Sequence, residues 1–259
     1  MLSPCGRSEN QAADTTRCYG AGPYTVHPPA LRSRPVSEAT TYPYPLVVFD
    51  LDGTLVDSAA DIAEALNRTL VDWQMPRVPE ATVLTWIGDG VRRLVEQAFT
   101  AAGSTIDLDT VMPGFMVHYR ECLLRSPRLF DGVAEALQVL QARDVPMAIC
   151  TNKPSALVQP LLDHLGIGTV FALVLGGDSL PQRKPSGEPL RHIAAQFGED
   201  PAACLMVGDS LTDYRAALDA GMPVALVRYG YPRGLDLQHN EAVAVIDDLR
   251  DLPGLRAGA

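Results

Sequence analysis

From residue 46 onward, short and nearly unbroken apolar runs alternate with longer stretches of helical period. The runs are Leu46–Phe49, Pro146–Cys150, Phe171–Leu175, Cys204–Val207, Val224–Val227 and Ala242–Ile246. Each is rich in Val, Ile, Leu or Ala, and most lead into Gly, Asp, Thr or Asn. Continuous runs bounded in this way predict strands buried on both faces, as in a parallel sheet. Between them, Val133–Ala142, Ser155–Leu165, Pro189–Phe197 and Leu211–Ala220 repeat their apolar residues at helical spacing. Strand–helix–strand repetition predicts an α/β fold with a doubly wound, Rossmann-like parallel sheet.

One stretch breaks the rhythm. Between about residues 60 and 127 the apolar residues fall at helical spacing: Ile62, Leu66 and Leu70, then Val91, Leu94, Val95 and Ala98, then Val111, Phe115, Val117, Tyr119 and Leu123. Three or four helices are expected there, as a small helical cap domain (61–127) inserted after the first strand. The α/β core then comprises residues 46–60 and 128–259. Residues 1–45 carry 7 of the 21 prolines and few large apolar residues. Such a segment buries too little apolar surface to offset its ordering entropy, and a disordered N-terminal extension is expected.

The whole chain has 259 residues and a formal net charge of −10. That balance argues against a general nucleic-acid binder, which needs a basic stripe to neutralise phosphates. No apolar run approaches the roughly 18 residues of a membrane-spanning helix. The five cysteines, at 5, 18, 122, 150 and 204, form no CxxC or Cys/His cluster. Free thiols in a reducing, cytoplasmic compartment are the expectation.

Open parallel sheets bind their ligands beyond the carboxyl ends of the strands. Those ends hold Asp50-Leu51-Asp52-Gly53-Thr54, Thr151-Asn152-Lys153, Gly176-Gly177-Asp178 with Lys184-Pro185 soon after, and Gly208-Asp209-Ser210 followed by Asp213. Clustered carboxylates repel one another unless a cation neutralises them. Oxygen donors of this kind suit Mg²⁺, with room for a phosphate oxygen. An Asp at such a metal, with a second Asp two residues away, can serve as nucleophile beside a general acid/base. Thr151 and nearby backbone N–H groups would bind phosphoryl oxygens, and Lys184 would balance the shared negative charge.

Val47-Val48-Phe49-Asp50-Leu51-Asp52-Gly53-Thr54-Leu55-Val56-Asp57-Ser58 resembles the first motif of the haloacid dehalogenase-like hydrolase superfamily. Cys150-Thr151-Asn152-Lys153 resembles its second motif, Lys184-Pro185 its third, and Val207-Gly208-Asp209-Ser210-Leu211-Thr212-Asp213 its fourth. Within the superfamily the chain is most similar to bacterial phosphoglycolate phosphatases, through Trp86–Leu94 and Gly176–Pro185. One departure is Pro185-Ser186-Gly187-Glu188-Pro189, where further prolines commonly follow the lysine.

The resemblance implies a Mg²⁺-dependent phosphomonoester hydrolase that works through an aspartyl-phosphate on Asp50. Asp52 is implied as the acid that protonates the leaving oxygen and then as the base that activates water. Asp50, the Asp52 backbone carbonyl and Asp209 are implied to hold the metal, with Asp213 in support. Thr151 and the N–H of Asn152 are implied to bind the phosphoryl group, and Lys184 to anchor nucleophile and phosphate. A phosphoglycolate carboxylate needs a cation, for which Arg92 is the first candidate and Arg93 the second. Gly88 and Gly90 permit a tight cap loop, and the five histidines fit no role. The expected partner is a small phosphorylated metabolite, with neither nucleic acid nor membrane, for a monomer or homodimer. Phosphosugars, nucleotides and pyrophosphate are the alternative substrates, and a phosphosugar mutase is the remaining alternative.

Overall fold

The computed structural model describes residues 25–26 and 42–256. Seven strands form one sheet: β1 (Thr25–Val26), β2 (Val47–Phe49), β5 (Met147–Cys150), β6 (Leu173–Leu175), β7 (Leu205–Gly208), β8 (Val224–Val227) and β9 (Ala244–Ile246). A separate antiparallel pair joins β3 (Val56–Asp57) to β4 (Arg128–Leu129). The sheet order is β1-β6-β5-β2-β7-β8-β9. All neighbours are parallel except β1, which pairs antiparallel with β6 through Thr25–Val174 and Val26–Leu173.

Five of the six parallel strands lie within the apolar runs that the sequence shows, and β7 extends one residue past its run, to Gly208. Side chains alternate across the sheet. Leu46 and Val48 join the core beneath α7 (Glu188–Phe197) and α8 (Leu211–Ala220), whereas Val47 and Phe49 join the core on the opposite face, with α5 (Val133–Ala142) and α6 (Ser155–His164). Helices on both faces bury both sides of every central strand, which is why alternation is absent from their sequences.

Between β3 and β4 the chain forms α1 (Ala59–Asp72), α2 (Glu80–Leu84), α3 (Val91–Ala101) and α4 (Leu108–Cys122). These helices turn Leu66, Leu70, Leu94, Val95, Ala98, Phe115 and Tyr119 inward, at the spacing the sequence shows. The β3–β4 pair holds the entry and exit of this insert together at the edge of the sheet.

The segment 1–45, read from sequence as a disordered extension, lies outside the described residues apart from 25–26 and 42–45. Tyr42 and Tyr44 are buried in the core, and the Tyr42 hydroxyl donates to the Leu252 carbonyl at 3.2 Å. The packed chain therefore starts at least four residues before the first apolar run. No described helix is long and apolar enough to cross a membrane, and Cys122, Cys150 and Cys204 are buried free thiols. Cys5 and Cys18 lie outside the described residues.

Candidate active site

The central strand β2 ends at Phe49, so Asp50 stands at the carboxyl edge of the sheet, between the ends of β5 and β7. Its backbone N–H still donates to the Val207 carbonyl, at 2.9 Å, which fixes the residue to the sheet. The chain then turns sharply, with Gly53 at φ +98°. A Cβ on Gly53 would lie 2.4 Å from Asp209 Oδ2, so this position requires glycine both for its backbone and for its space.

Asp209 follows β7. It accepts from the Thr54 hydroxyl at 2.6 Å and from the Tyr231 N–H at 2.7 Å. Asp213 lies on the first turn of α8, where Ser210 and Asp213 form a reciprocal capping box. One Asp213 oxygen accepts from the Ser210 hydroxyl at 2.6 Å, and the other faces the Lys184 ammonium at 2.7 Å. Lys184 is equally close, 2.7 Å, to Asp50 Oδ1, and its side chain is buried.

Asp50, Asp209 and Asp213 bring carboxylate oxygens within 4.8 Å of one another, all of them buried. Burial first, and then the Asp213 charge, push Asp50 up to about 7 against the pull of Lys184. Asp209 is raised well above the usual carboxylate range by burial and by the charges of Asp213 and Asp50. Burial alone would depress the Lys184 ammonium, but Asp213 and Asp50 outweigh it and hold it protonated. Three buried carboxylates share one ammonium, an imbalance that a divalent cation would correct. An all-oxygen donor set fits Mg²⁺.

Asp52 is arranged separately. Its carboxylate accepts from the Ser58 hydroxyl at 2.6 Å and from Lys153 Nζ at 3.0 and 3.2 Å. Lys153 also donates to the Tyr119 hydroxyl, which comes from α4 of the insert. Thr151 and Asn152 follow β5, and the Thr151 hydroxyl accepts from the Lys153 N–H at 3.2 Å. The Asn152 amide donates to the carbonyls of Gly88 and Lys184, at 2.9 Å each, linking an insert loop to the lysine loop.

A cleft opens over these groups, between the sheet and the insert. The sheet contributes Asp50, Asp52, Thr151, Asn152 and Lys153, and the insert contributes Ile62, Ile87, Gly88, Gly90, Val91, Leu94 and Tyr119. Gly90, at φ +89°, lets the loop pass close to the Asn152 backbone. The structure thus brings together Asp50, Asp52, Thr151, Asn152, Lys184, Asp209 and Asp213.

It does not bring Arg92 or Arg93 to the cavity. Arg92 is half exposed and pairs with Asp109 at 2.6 Å. Arg93 is half exposed and pairs with Glu96 on its own helix. The reason is helical period: Leu94, Val95 and Ala98 take the inward face of α3, which turns both arginines outward. Sequence reasoning gave no role to Lys153, Ser58, Thr54 or Tyr231. The first three stand inside the quoted motifs, but Tyr231 carries no local signal.

The haloacid dehalogenase-like hydrolase family model matches residues 47–227. The chain is 40% identical over 200 residues to the phosphoglycolate phosphatase of Colwellia psychrerythraea, covering 74% of this chain and 88% of that one. It is 38% identical over 216 residues to the phosphoglycolate phosphatase of Haemophilus influenzae, covering 81% and 96%. Among solved structures, a predicted phosphoglycolate phosphatase from Haemophilus somnus superposes with a TM-score of 0.75 at 37% identity, covering 81% and 96%. CbbY from Rhodobacter sphaeroides, in complex with phosphate, shares the fold at 18% identity, with a TM-score of 0.70 and coverage of 81% and 96%.

Proposed function

The chain belongs to the haloacid dehalogenase-like hydrolase family, and from that premise we propose that it is a Mg²⁺-dependent phosphatase of 2-phosphoglycolate that works through an aspartyl-phosphate. The observation that carries the reading is that Asp50 and Asp52 open on one cavity while holding different partners. Asp50 is tied to Lys184 and the carboxylate cluster, as a nucleophile beside a metal must be. Asp52 is held apart by Ser58 and Lys153, as an acid aimed at the leaving group must be.

An Asp50 oxygen attacks phosphorus and the bond to the leaving oxygen breaks as Asp52 supplies that oxygen with a proton. Asp52 then takes a proton from the water that hydrolyses the aspartyl-phosphate. Lys184 keeps the Asp50 carboxylate in place and offsets its charge. The Thr151 hydroxyl and the Asn152 N–H donate to the phosphoryl oxygens, as preorganised donors that need no rearrangement during reaction. Asp50, Asp209 and the Asp52 carbonyl would hold Mg²⁺, with Asp213 beside them. When bound, Mg²⁺ supplies positive charge at the phosphoryl oxygens and at the nucleophile.

The insert closes over the cavity with Ile87, Val91 and Leu94, which excludes water from the reacting groups. The choice of 2-phosphoglycolate is supported by relatives that are named phosphoglycolate phosphatases. The test is a comparison of kcat/KM for 2-phosphoglycolate with a dozen phosphosugars, nucleotides and simple phosphomonoesters, with and without Mg²⁺. A preference of tenfold or more for 2-phosphoglycolate is expected. A phosphosugar or nucleotide hydrolysed faster would transfer the assignment to that substrate class.

A further inference from the structure

The reading above leaves the carboxylate of 2-phosphoglycolate without a partner, because Arg92 and Arg93 face away from the cavity. Resting on that reading, we propose that Lys153 is the cation that receives the substrate's carboxylate and so sets the enzyme's preference for an acidic leaving group.

Three observations support it. Lys153 is the one cationic residue among those lining the cavity. Lys184 lies between Asp50 and Asp213, Arg233 is paired with Asp89, and Arg183, whose guanidinium stands beside Gly90, is exposed and does not line the cavity. Lys153 also stands beside the acid, with Nζ 3.0 and 3.2 Å from the two Asp52 oxygens.

The covalent structure of the substrate uses that proximity. In 2-phosphoglycolate the leaving oxygen is bonded to a methylene, and the methylene to the carboxylate carbon. Two bonds of about 1.5 Å each place the carboxylate carbon roughly 2.5 Å from the leaving oxygen. That oxygen must approach Asp52 to be protonated, so the carboxylate arrives beside the ammonium that Asp52 already touches.

The ammonium has three N–H donors, now directed at Asp52 and the Tyr119 hydroxyl. An incoming carboxylate takes over one of these donors without moving the lysine far. Tyr119 accepts from Lys153 through its oxygen, so its own hydroxyl proton is available to donate to the same carboxylate. Burial strengthens such charge-assisted hydrogen bonds.

A purely positioning role for Lys153, holding Asp52, makes a different prediction, because Asp52 serves every substrate alike. The experiment measures kcat and KM for 2-phosphoglycolate and for ethyl phosphate, which lacks the carboxylate, in the wild type and in Lys153→Met and Lys153→Gln. Two neutral replacements are used so that a folding defect in one does not decide the result, and thermal unfolding checks each. The kcat/KM ratio of 2-phosphoglycolate to ethyl phosphate should fall ten- to a hundredfold in either folded variant, mainly through a higher KM for 2-phosphoglycolate. Losses in the same proportion on both substrates would overturn the assignment and leave Lys153 as a positioning residue for Asp52. A wild type with no preference for 2-phosphoglycolate over ethyl phosphate would overturn the substrate reading itself, and this assignment with it.

Discussion

An Arg233 guanidinium nitrogen lies 2.6 Å from Asp89 Oδ2, across the line where the helical insert meets the sheet. The other Asp89 oxygen accepts from the Thr212 hydroxyl at 2.7 Å, at the start of α8. Burial raises the Asp89 carboxyl less than Arg233 lowers it, so it sits below its ordinary pKa. With the Asn152 amide on Gly88, these contacts clamp the loop 88–90 over the cavity. Hydrogen bonds to charged groups contribute about 1.5–3 kcal/mol, and partial solvent exposure of Asp89 places this one near the lower end. Arg233→Met should therefore lower kcat/KM by about three- to thirtyfold, on 2-phosphoglycolate and ethyl phosphate alike. Steady-state kinetics checks the loss, and faster amide exchange over residues 85–91 checks its origin.

The two aspartates should separate by step. Asp50→Asn removes the nucleophile at nearly constant volume and should abolish turnover. Asp52→Asn keeps the nucleophile and should lower kcat by about 10²–10⁴-fold, the range for general acid–base contributions. Acid quench with ³²P-labelled substrate should find phosphoryl label on the Asp52→Asn protein and none on Asp50→Asn. Near-normal turnover by Asp50→Asn would mean direct attack by water.

The crowded carboxylates predict a metal effect on stability as well as on rate. EDTA should abolish activity and Mg²⁺ restore it. A ligand at 100 times its Kd stabilises the folded state by about 2.7 kcal/mol. At roughly 2–4 °C per kcal/mol for a chain of this size, saturating Mg²⁺ should raise Tm by about 5–10 °C. Asp209→Asn removes the buried carboxyl that desolvation and the Asp213 and Asp50 charges lift. It should raise the metal-free Tm and shrink the Mg²⁺ increment, both measured by differential scanning calorimetry.

Local signals carried the sheet, because apolar runs such as Cys204–Val207 pack on both faces. They also marked the strand ends, where Asp50 and Asp209 are brought together by parallel pairing of β2 with β7. The sequence did not reveal β1, a pair of residues whose partner on β6 lies almost 150 positions away. Lys153 was visible but mute. Its meaning comes from Asp52, 101 positions before it, and from Tyr119 on a different helix. Tyr231 was silent for the same reason, since its N–H reaches Asp209 only after the last loops fold back.

Arg92 shows how one turn of helix alters an assignment. Proximity to Gly88 and Gly90 in sequence suggested the cavity, but the period of α3 directs the side chain to Asp109. An exposed pair of this kind is screened by water and contributes little to stability. Arg92→Ala should leave kcat/KM for 2-phosphoglycolate within about twofold and Tm within a few degrees. A tenfold loss confined to 2-phosphoglycolate would return the carboxylate to Arg92 and take it from Lys153.

Tyr42 and Tyr44 make the start of the packed chain a measurable boundary. Their rings meet edge to face, with centroids 5.8 Å apart, and both are buried against the core. The Tyr42 hydroxyl also satisfies the Leu252 carbonyl, in the turn that closes the C-terminal end of the fold. Fully burying a large apolar side chain stabilises by about 1.5–3 kcal/mol, so the pair contributes roughly 3–6 kcal/mol. Two truncated proteins isolate this contribution, one beginning at residue 42 and the other at residue 45. The shorter protein should melt roughly 6–24 °C below the longer, at 2–4 °C per kcal/mol. Its activity below the transition should be unchanged, because neither tyrosine lines the cavity. Equal melting temperatures would show that the core closes without the two rings and begins, as the apolar pattern alone suggests, at Leu46.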